Sequence, residues 1–404
     1  MNRRDFTLLW LGQAVSQLGS RTYGVAYMLW VLHVSTPVVL GLAATVTLAG
    51  FAAGQLPAGW LADAFDRRRV LVVTDLVAAA AAGSFLVMAA LDRFSVAGLL
   101  VAATVLGVCW AVRQPTELAA VPAVTGPDRV QPAVAIMQAR AYAAGLAGPL
   151  LAGVLFAVAP WLPFLLDTAS YLVAAVATAA IRTPLSGAVR AAGRLADSVA
   201  EVRAGLAVFW RQPFVRASAL LSGAGALVVG GVGICVLVRL TADGAPPAVT
   251  GLVLGIGSAA GLGGALATPL LLRRCGEGAL LVAAPLVTAA AVAALAAGSG
   301  PVALTIAYAA VFLLQPAWDA VVTGRQLLLV DDAVRGRVQA AAGLVMAVPM
   351  AATPALAGAA TQLAGPTATL AAGAVVMAAV AAGAAVLARP RAVPQPAATS
   401  QTAG

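Results

Sequence analysis

From Leu8 onward the chain is a succession of apolar runs, each about 20 residues long, broken at short intervals by Pro, Gly and clustered Arg. A helix of that length rises ~1.5 Å per residue, crosses the ~30 Å hydrocarbon core of a bilayer and satisfies its own backbone there. Composition excludes the alternative. With 62% hydrophobic and 10% charged residues among 404, a water-soluble domain would carry large apolar patches against solvent. Strand-type alternation is absent, so a barrel is not expected. The chain reads as an all-α polytopic membrane protein.

The runs resolve into twelve transmembrane spans. The first six cover residues 8–32, 38–62, 70–91, 95–112, 132–158 and 161–181, and the second six cover 214–238, 248–272, 279–299, 301–321, 337–362 and 366–388. A polar stretch separates the two sets. The expected organisation is an N-terminal six-helix bundle (1–181), a cytoplasmic linker (182–213), a C-terminal six-helix bundle (214–389) and a disordered cytoplasmic tail (390–404). Within the linker, Val199, Val202, Leu206, Val208 and Phe209 approximate one apolar stripe, which predicts a short amphipathic helix at the membrane surface. The first run is too long for a signal-peptide core and reads as an uncleaved helix.

All 24 basic residues are Arg, and 20 of them fall in segments that share one side of the membrane if the N-terminus lies inside. Cytoplasmic loops collect basic residues, so both termini are expected on the cytoplasmic side of the inner (plasma) membrane. The net charge of +9 is thus a topology signal, and its scatter over short loops argues against nucleic acid as a partner. Cys109, Cys235, Cys275 and the single His33 show no metal-ligand spacing, and no metal or cofactor is expected. Without Lys there is no phosphate-binding G-x-x-x-x-G-K-[ST] loop, so ATP is not the expected energy source.

The sequence repeats itself. Ala147-Gly-Pro-Leu-Leu-Ala-Gly153 in span five matches Ala352-Thr-Pro-Ala-Leu-Ala-Gly358 in span eleven at five of seven positions. Gln114-Pro115 recurs as Gln315-Pro316, and Arg68-Arg69 as Arg273-Arg274, at nearly the same offset. Two related bundles follow. The turn after span two, Gly59-Trp-Leu-Ala-Asp63-Ala-Phe-Asp66-Arg67-Arg68-Arg69, concentrates charge in an apolar chain and is a candidate gate.

These residues resemble the major facilitator superfamily over nearly the whole chain. The turn looks like that family's G-x-L-A-D-x-x-G-R-R loop, with Asp66 in place of Gly. The opening Asp5-Phe6 to Gly19 is similar to the branch that holds enterobactin exporters and bacterial drug and natural-product exporters. Ala144 to Gly153 resembles the antiporter motif g-x-x-x-G-P-x-x-G-G, with Gly148, Pro149 and Gly153 in place and Ala144 and Ala152 departing from it. The resemblance implies alternating access and proton-coupled efflux. It also implies a gating set of Gly59, Asp63, Arg67, Arg68 and Arg69, with Asp63 meeting a fourth-span Arg, a role that suits Arg113.

Charges inside the membrane cost roughly 3 kcal/mol each, so they face partners or a wet cavity. Arg21 and Arg140 are candidates for the cavity wall, attracting an anionic or polarised substrate; the alternative is neutralisation by Asp167 or snorkelling toward a helix end. Asp167, Asp319 and Glu117 are candidates for proton coupling, whereas Asp75 is expected to partner the Arg67–Arg69 cluster. Gln17, Gln138, Tyr142 and Gln315 complete a mostly apolar pocket with a few polar anchors. No carboxylate pair has catalytic spacing, so an enzyme is not expected. The expected function is export of an amphipathic small molecule, drug-like or siderophore-like, in exchange for protons by a monomer in the bilayer. An importer or facilitator of the same fold, and a membrane scaffold or sensor, are the alternatives.

Overall fold

The computed structural model describes residues 3–125, 130–185, 210–298, 300–329 and 332–388, and of residues 3, 56, 57, 59, 60, 62–64, 130–135, 138, 139, 327, 328 and 332–348 the backbone alone. Every regular element among them is helical: α1 (Arg3–Val34), α2 (Pro37–Ala64), α3 (Arg67–Ala90), α4 (Val96–Thr125), α5 (Val130–Val158), α6 (Leu162–Ala179), α7 (Pro213–Ala242), α8 (Pro247–Ala297), α9 (Pro301–Leu313), α10 (Gln315–Leu329) and α11 (Asp332–Ala388). The predicted linker helix and the tail lie outside the described residues.

Local chemistry sets where these helices start and break. Proline opens α2, α7, α8 and α9, where its missing N–H is no loss. Gly276 and Gly365 adopt φ of 73° and 82°, so α8 and α11 are each two spans joined by a sharp turn that a side chain would strain. Conversely, α9 and α10 form one span interrupted at Leu314, just before Pro316. Among the described residues twelve spans result, six on either side of residues 186–209. Two expected boundaries move: α10 runs to Leu329 instead of ending near residue 321, and α4 continues through Pro115 and Pro122 to Thr125 instead of ending near residue 112. Packing overrides the proline penalty there, and the Arg67 guanidinium donates to the Ala119 carbonyl at 3.0 Å beside the second proline.

Within the first half, α2 packs on α4, α1 on α5 and α6, and α3 on α4 and α6; in the second, α11 packs on α7 and α8, and α8 on α9 and α10. Small residues permit the close crossings. At Gly107 an added Cβ would meet the Thr47 carbonyl oxygen, and at Gly54 it would come within 2.8 Å of Ala111. Tyr23, Tyr27, Trp30, Phe85 and Phe164 form the aromatic core of the first half. The outer faces carry exposed Val73, Val87, Val101, Val176, Leu266, Val302, Ile306 and Leu363. Such a belt is unfavourable in water and suits acyl chains. Nine described helices are long and apolar enough to cross a membrane; α1, which carries Gln13, Gln17 and Arg21, is the polar exception.

Candidate functional site

A buried polar cluster occupies the first half. It is built on a stripe of α1, where Gln13, Ser16, Gln17 and Ser20 recur at helical spacing and so share one face. Arg113 and Glu117, one turn apart on α4, meet that face together with Asp75 from α3, Arg140 from α5 and Asp167 and Tyr171 from α6. Arg140 donates to Glu117 Oε1 at 2.8 Å and to Gln17 Oε1 at 3.0 Å. Arg113 donates to Ser16 Oγ at 2.5 Å, lies 3.7 Å from Asp75 Oδ1 and sits 5.7 Å from the centre of the Tyr171 ring. Tyr171 and Ser20 share a hydroxyl bond of 2.9 Å.

This geometry changes several assignments. Arg140 is neutralised by Glu117, not by Asp167, and is not available to attract an anion. Arg113 meets Ser16 and Asp75 in the bundle interior, so Asp75 pairs with Arg113 instead of the Arg cluster beyond α2; the side chain of Asp63, the other expected partner of Arg113, is outside the described set. Asp167 is fully buried, and its carboxyl faces the Ser20 and Ser170 hydroxyls and Arg113 without an ion pair to a described residue. The nearby Ser170 hydroxyl donates to the Asp167 main-chain oxygen at 2.7 Å. Three carboxyls, Asp75, Glu117 and Asp167, thus share this interior with two guanidiniums, Arg113 and Arg140. Ser16 and Tyr171 were not singled out by sequence; the polar stripe on α1 carried the signal for Ser16.

The two halves meet at the end of the molecule distal to the start of α1, and they meet through one motif used four times. Pro37-x-x-x-Gly41 in α2, Pro149-x-x-x-Gly153 in α5, Pro247-x-x-x-Gly251 in α8 and Pro354-x-x-x-Gly358 in α11 pair as α2 with α11 and α5 with α8. Each glycine lies against the carbonyl of the opposite motif's proline. A Cβ at Gly41 would strike the Pro354 oxygen, at Gly358 the Pro37 oxygen, at Gly251 the Pro149 oxygen, and at Gly153 the Pro247 oxygen at 2.6 Å. Two hydrogen bonds add to the α2–α11 contact, Val38 N–H to Gln362 Oε1 at 3.2 Å and Ala355 N–H to Thr45 Oγ1 at 3.0 Å. Gly148 turns to the other side of α5, where a Cβ would collide with Arg21 of α1.

At the opposite, proximal end, Arg67 donates to the Ala119 and Leu185 carbonyls at 3.0 and 3.2 Å and Arg68 to the Thr183 carbonyl at 2.9 Å, which ties the exit of α6 to the start of α3. Asp66 caps α3 by accepting the Arg68 N–H at 3.0 Å. Arg69 is exposed. Gly59 and Asp63 lie on the last turns of α2, and their side chains are outside the described set. Asp5 lies ahead of the apolar run of α1 and accepts the Thr183 N–H at 2.8 Å, the Arg182 N–H at 3.2 Å and the Thr183 hydroxyl at 2.5 Å. Burial works to raise the Asp5 carboxyl, but these donors outweigh it, so the group sits below the ordinary carboxylate range.

Of the remaining candidates, Arg21 is exposed on α1 and makes no hydrogen bond or ion pair with the described residues, and Tyr142 is 49% exposed. The side chain of Gln138 is outside the described set. Gln315 and Asp319 join neither of these regions: both line a 310 Å³ pocket inside the second half.

The sequence profile of the Major Facilitator Superfamily matches residues 9–354. No curated protein matches the sequence. Among solved structures, the nucleoside transporter NupG aligns at 12% identity over 97% of this chain and 100% of its own, with a TM-score of 0.77. A mutant of the peptide transporter POT aligns at 14% identity over 95% and 93%, with a TM-score of 0.72. A bacterial homologue of the iron transporter ferroportin, in its inward-facing state, aligns at 17% over 94% and 98%, with a TM-score of 0.67. At these identities the likeness is one of fold. Because the profile covers most of the 404 residues and the twelve-span fold agrees with it, the chain belongs to the major facilitator superfamily.

Proposed function

We propose that this chain is a secondary active transporter of the cytoplasmic membrane that exports an amphipathic small molecule, of drug-like, siderophore-like or other metabolite character, in exchange for protons. The observation that carries the coupling is Asp167. It is the carboxyl left over when Arg140 is matched with Glu117 and Arg113 with Asp75, and it is enclosed without an ion pair to a described residue. An unpaired buried charge costs several kcal/mol, whereas a bound proton leaves the cluster neutral. Taking up and losing that proton changes the net charge beside α1 and α4, and the change is available to bias a rocking equilibrium of the two halves.

With the Arg-rich end facing the cytoplasm, the four proline–glycine contacts lie at the outer end of the molecule, which fits closure on that side. Gly148, Pro149 and Gly153 favour export through their likeness to the antiporter motif. Two readings of span charge follow the same line: Arg21, which has no ion pair among the described residues, is the span cation left to meet a substrate, and Arg140 is a fixed counter-charge to Glu117.

The test is reconstitution into liposomes with a trapped pH indicator, comparing wild type with Asp167→Asn across a panel of amphipathic compounds. Wild type releases protons against compound movement. In the variant, gradient-driven accumulation falls at least about tenfold while exchange of compound without a gradient persists. Accumulation that survives collapse of the proton gradient, or an Asp167→Asn protein that concentrates compound as well as wild type does, defeats the coupling.

A further inference from the structure

The second half contains a pocket of 310 Å³ between α7, α8, α10 and α11, within the size range of small-molecule sites. Most of its wall is aliphatic, and its distinctive members are Ser222, Gln315, Trp318, Asp319, Met350 and Met377. Trp318 is 6% exposed and its indole N–H is committed to Ser222 Oγ at 3.0 Å, so that ring is held in place. Asp319 is exposed and makes no hydrogen bond or ion pair with the described residues.

No basic side chain lines this pocket among the described residues. The cations nearest in sequence are committed elsewhere. Arg325 on α10 binds Glu277 Oε2 at 2.8 Å and stacks over Phe214, and Arg216 on α7 donates to the Trp210 carbonyl at 3.3 Å. A span carboxylate faces a partner or a wet cavity, and no described residue lining this pocket neutralises Asp319, so its charge is left facing the pocket. An aromatic ring and two thioethers are soft, polarisable neighbours suited to a diffuse positive charge.

We propose that this pocket binds a monovalent organic cation with a compact apolar body, the charge set against Asp319 and the body against the aliphatic and methionine wall. This deepens the export reading by naming a substrate class, and it rests on that reading only for the statement that the cation is carried.

Binding is measured by calorimetry on the purified full-length protein, with benzyltrimethylammonium as the probe and benzoate and benzyl alcohol as the anionic and neutral counterparts. Wild type binds the cation, and neither counterpart competes. Asp319→Asn weakens binding at least about tenfold, and Asp319→Glu retains it. Ala226→Phe, which fills the pocket and keeps the carboxylate, also abolishes binding, so the site is tested even if the asparagine variant misfolds. Binding unchanged in Asp319→Asn, competition by benzyl alcohol as strong as by the cation itself, or no cation binding at millimolar concentration overturns the proposal. Because calorimetry needs no gradient, the two readings fail separately. A cation that binds through Asp319 but is never moved by a proton gradient sinks the export reading alone, and gradient-driven movement of compounds with no cation bound sinks this site alone.

Discussion

The Asp66 carboxylate, standing where the resembled loop carries Gly, accepts the Arg68 amide and so starts α3. Its charge has a local structural use, which the sequence pattern alone did not supply. Asp5 acts on a longer connection, holding the residues that leave α6 through three donors. Its folded-state carboxyl is held below the ordinary value of ~3.9, so its contribution to stability is fully present above that pH and is lost as pH falls through the folded value. Asp5→Asn is therefore expected to lower the melting temperature by roughly 2 °C near neutrality, with the difference from wild type shrinking below about pH 4. Thermal unfolding of both proteins across pH measures this, and a constant difference down to low pH would remove the carboxylate from the account. The sequence exposed the individual ionisable residues of the cluster, since Arg113, Glu117, Arg140 and Asp167 all stand out in apolar runs. Their pairing was not legible, because partners on α1, α3, α4, α5 and α6 meet only once each helix's rotation about its axis is fixed by packing.

At the scale of elements, spans were readable because lipid imposes their length, and the repeat was readable in α5 and α11 because Gly-Pro and Thr-Pro stand out there. The matching repeat in α2 and α8 was not found, since Pro-x-x-x-Gly is a sparse pattern in a chain with 41 Gly and 23 Pro. Aligned on these motifs, α2 and α8 are offset by 210, so Asp63 corresponds to Arg273. The two halves thus carry opposite charges at equivalent proximal positions. The glycines make a sharp prediction. A Cβ at Gly251 would meet the Pro149 carbonyl, a backbone atom that cannot rotate away, whereas Gly263 has nothing within 4 Å. Overpacking of this kind costs about 1–3 kcal/mol, enough to shift a two-state equilibrium roughly 5- to 150-fold. Gly251→Val is expected to open the distal contact and raise thiol labelling of a Thr45→Cys reporter in a background without other cysteines. Gly263→Ala should leave labelling unchanged, and equal labelling in both would deny the contact any closing role.

For the whole molecule, the six-plus-six division and the helical class were legible from hydropathy, but which end holds the halves together was not, because that choice belongs to packing between remote segments. The described hydrogen bonds between halves, Val38 to Gln362 and Thr45 to Ala355, both lie at the distal end. If transport proceeds by rocking, this contact must separate once in every cycle, and α2 must part from α11 while α5 parts from α8. A covalent tie across one of the two pairs therefore stops the cycle without touching the buried charges or the pocket. Val38→Cys with Gln362→Cys, made in a protein whose Cys109, Cys235 and Cys275 are replaced by Ala, puts one thiol on each side of the α2–α11 contact, at the two residues joined by the Val38 N–H to Gln362 Oε1 bond of 3.2 Å. A protease site inserted between the halves reports the bond, since oxidised protein then stays in one piece after cleavage. Oxidation is expected to reduce transport at least about tenfold and reductant to restore it, in line with loss of a required state. A bridge formed in full with transport unaffected would show that the distal contact stays closed throughout, and the rocking of halves would have to be abandoned for this protein.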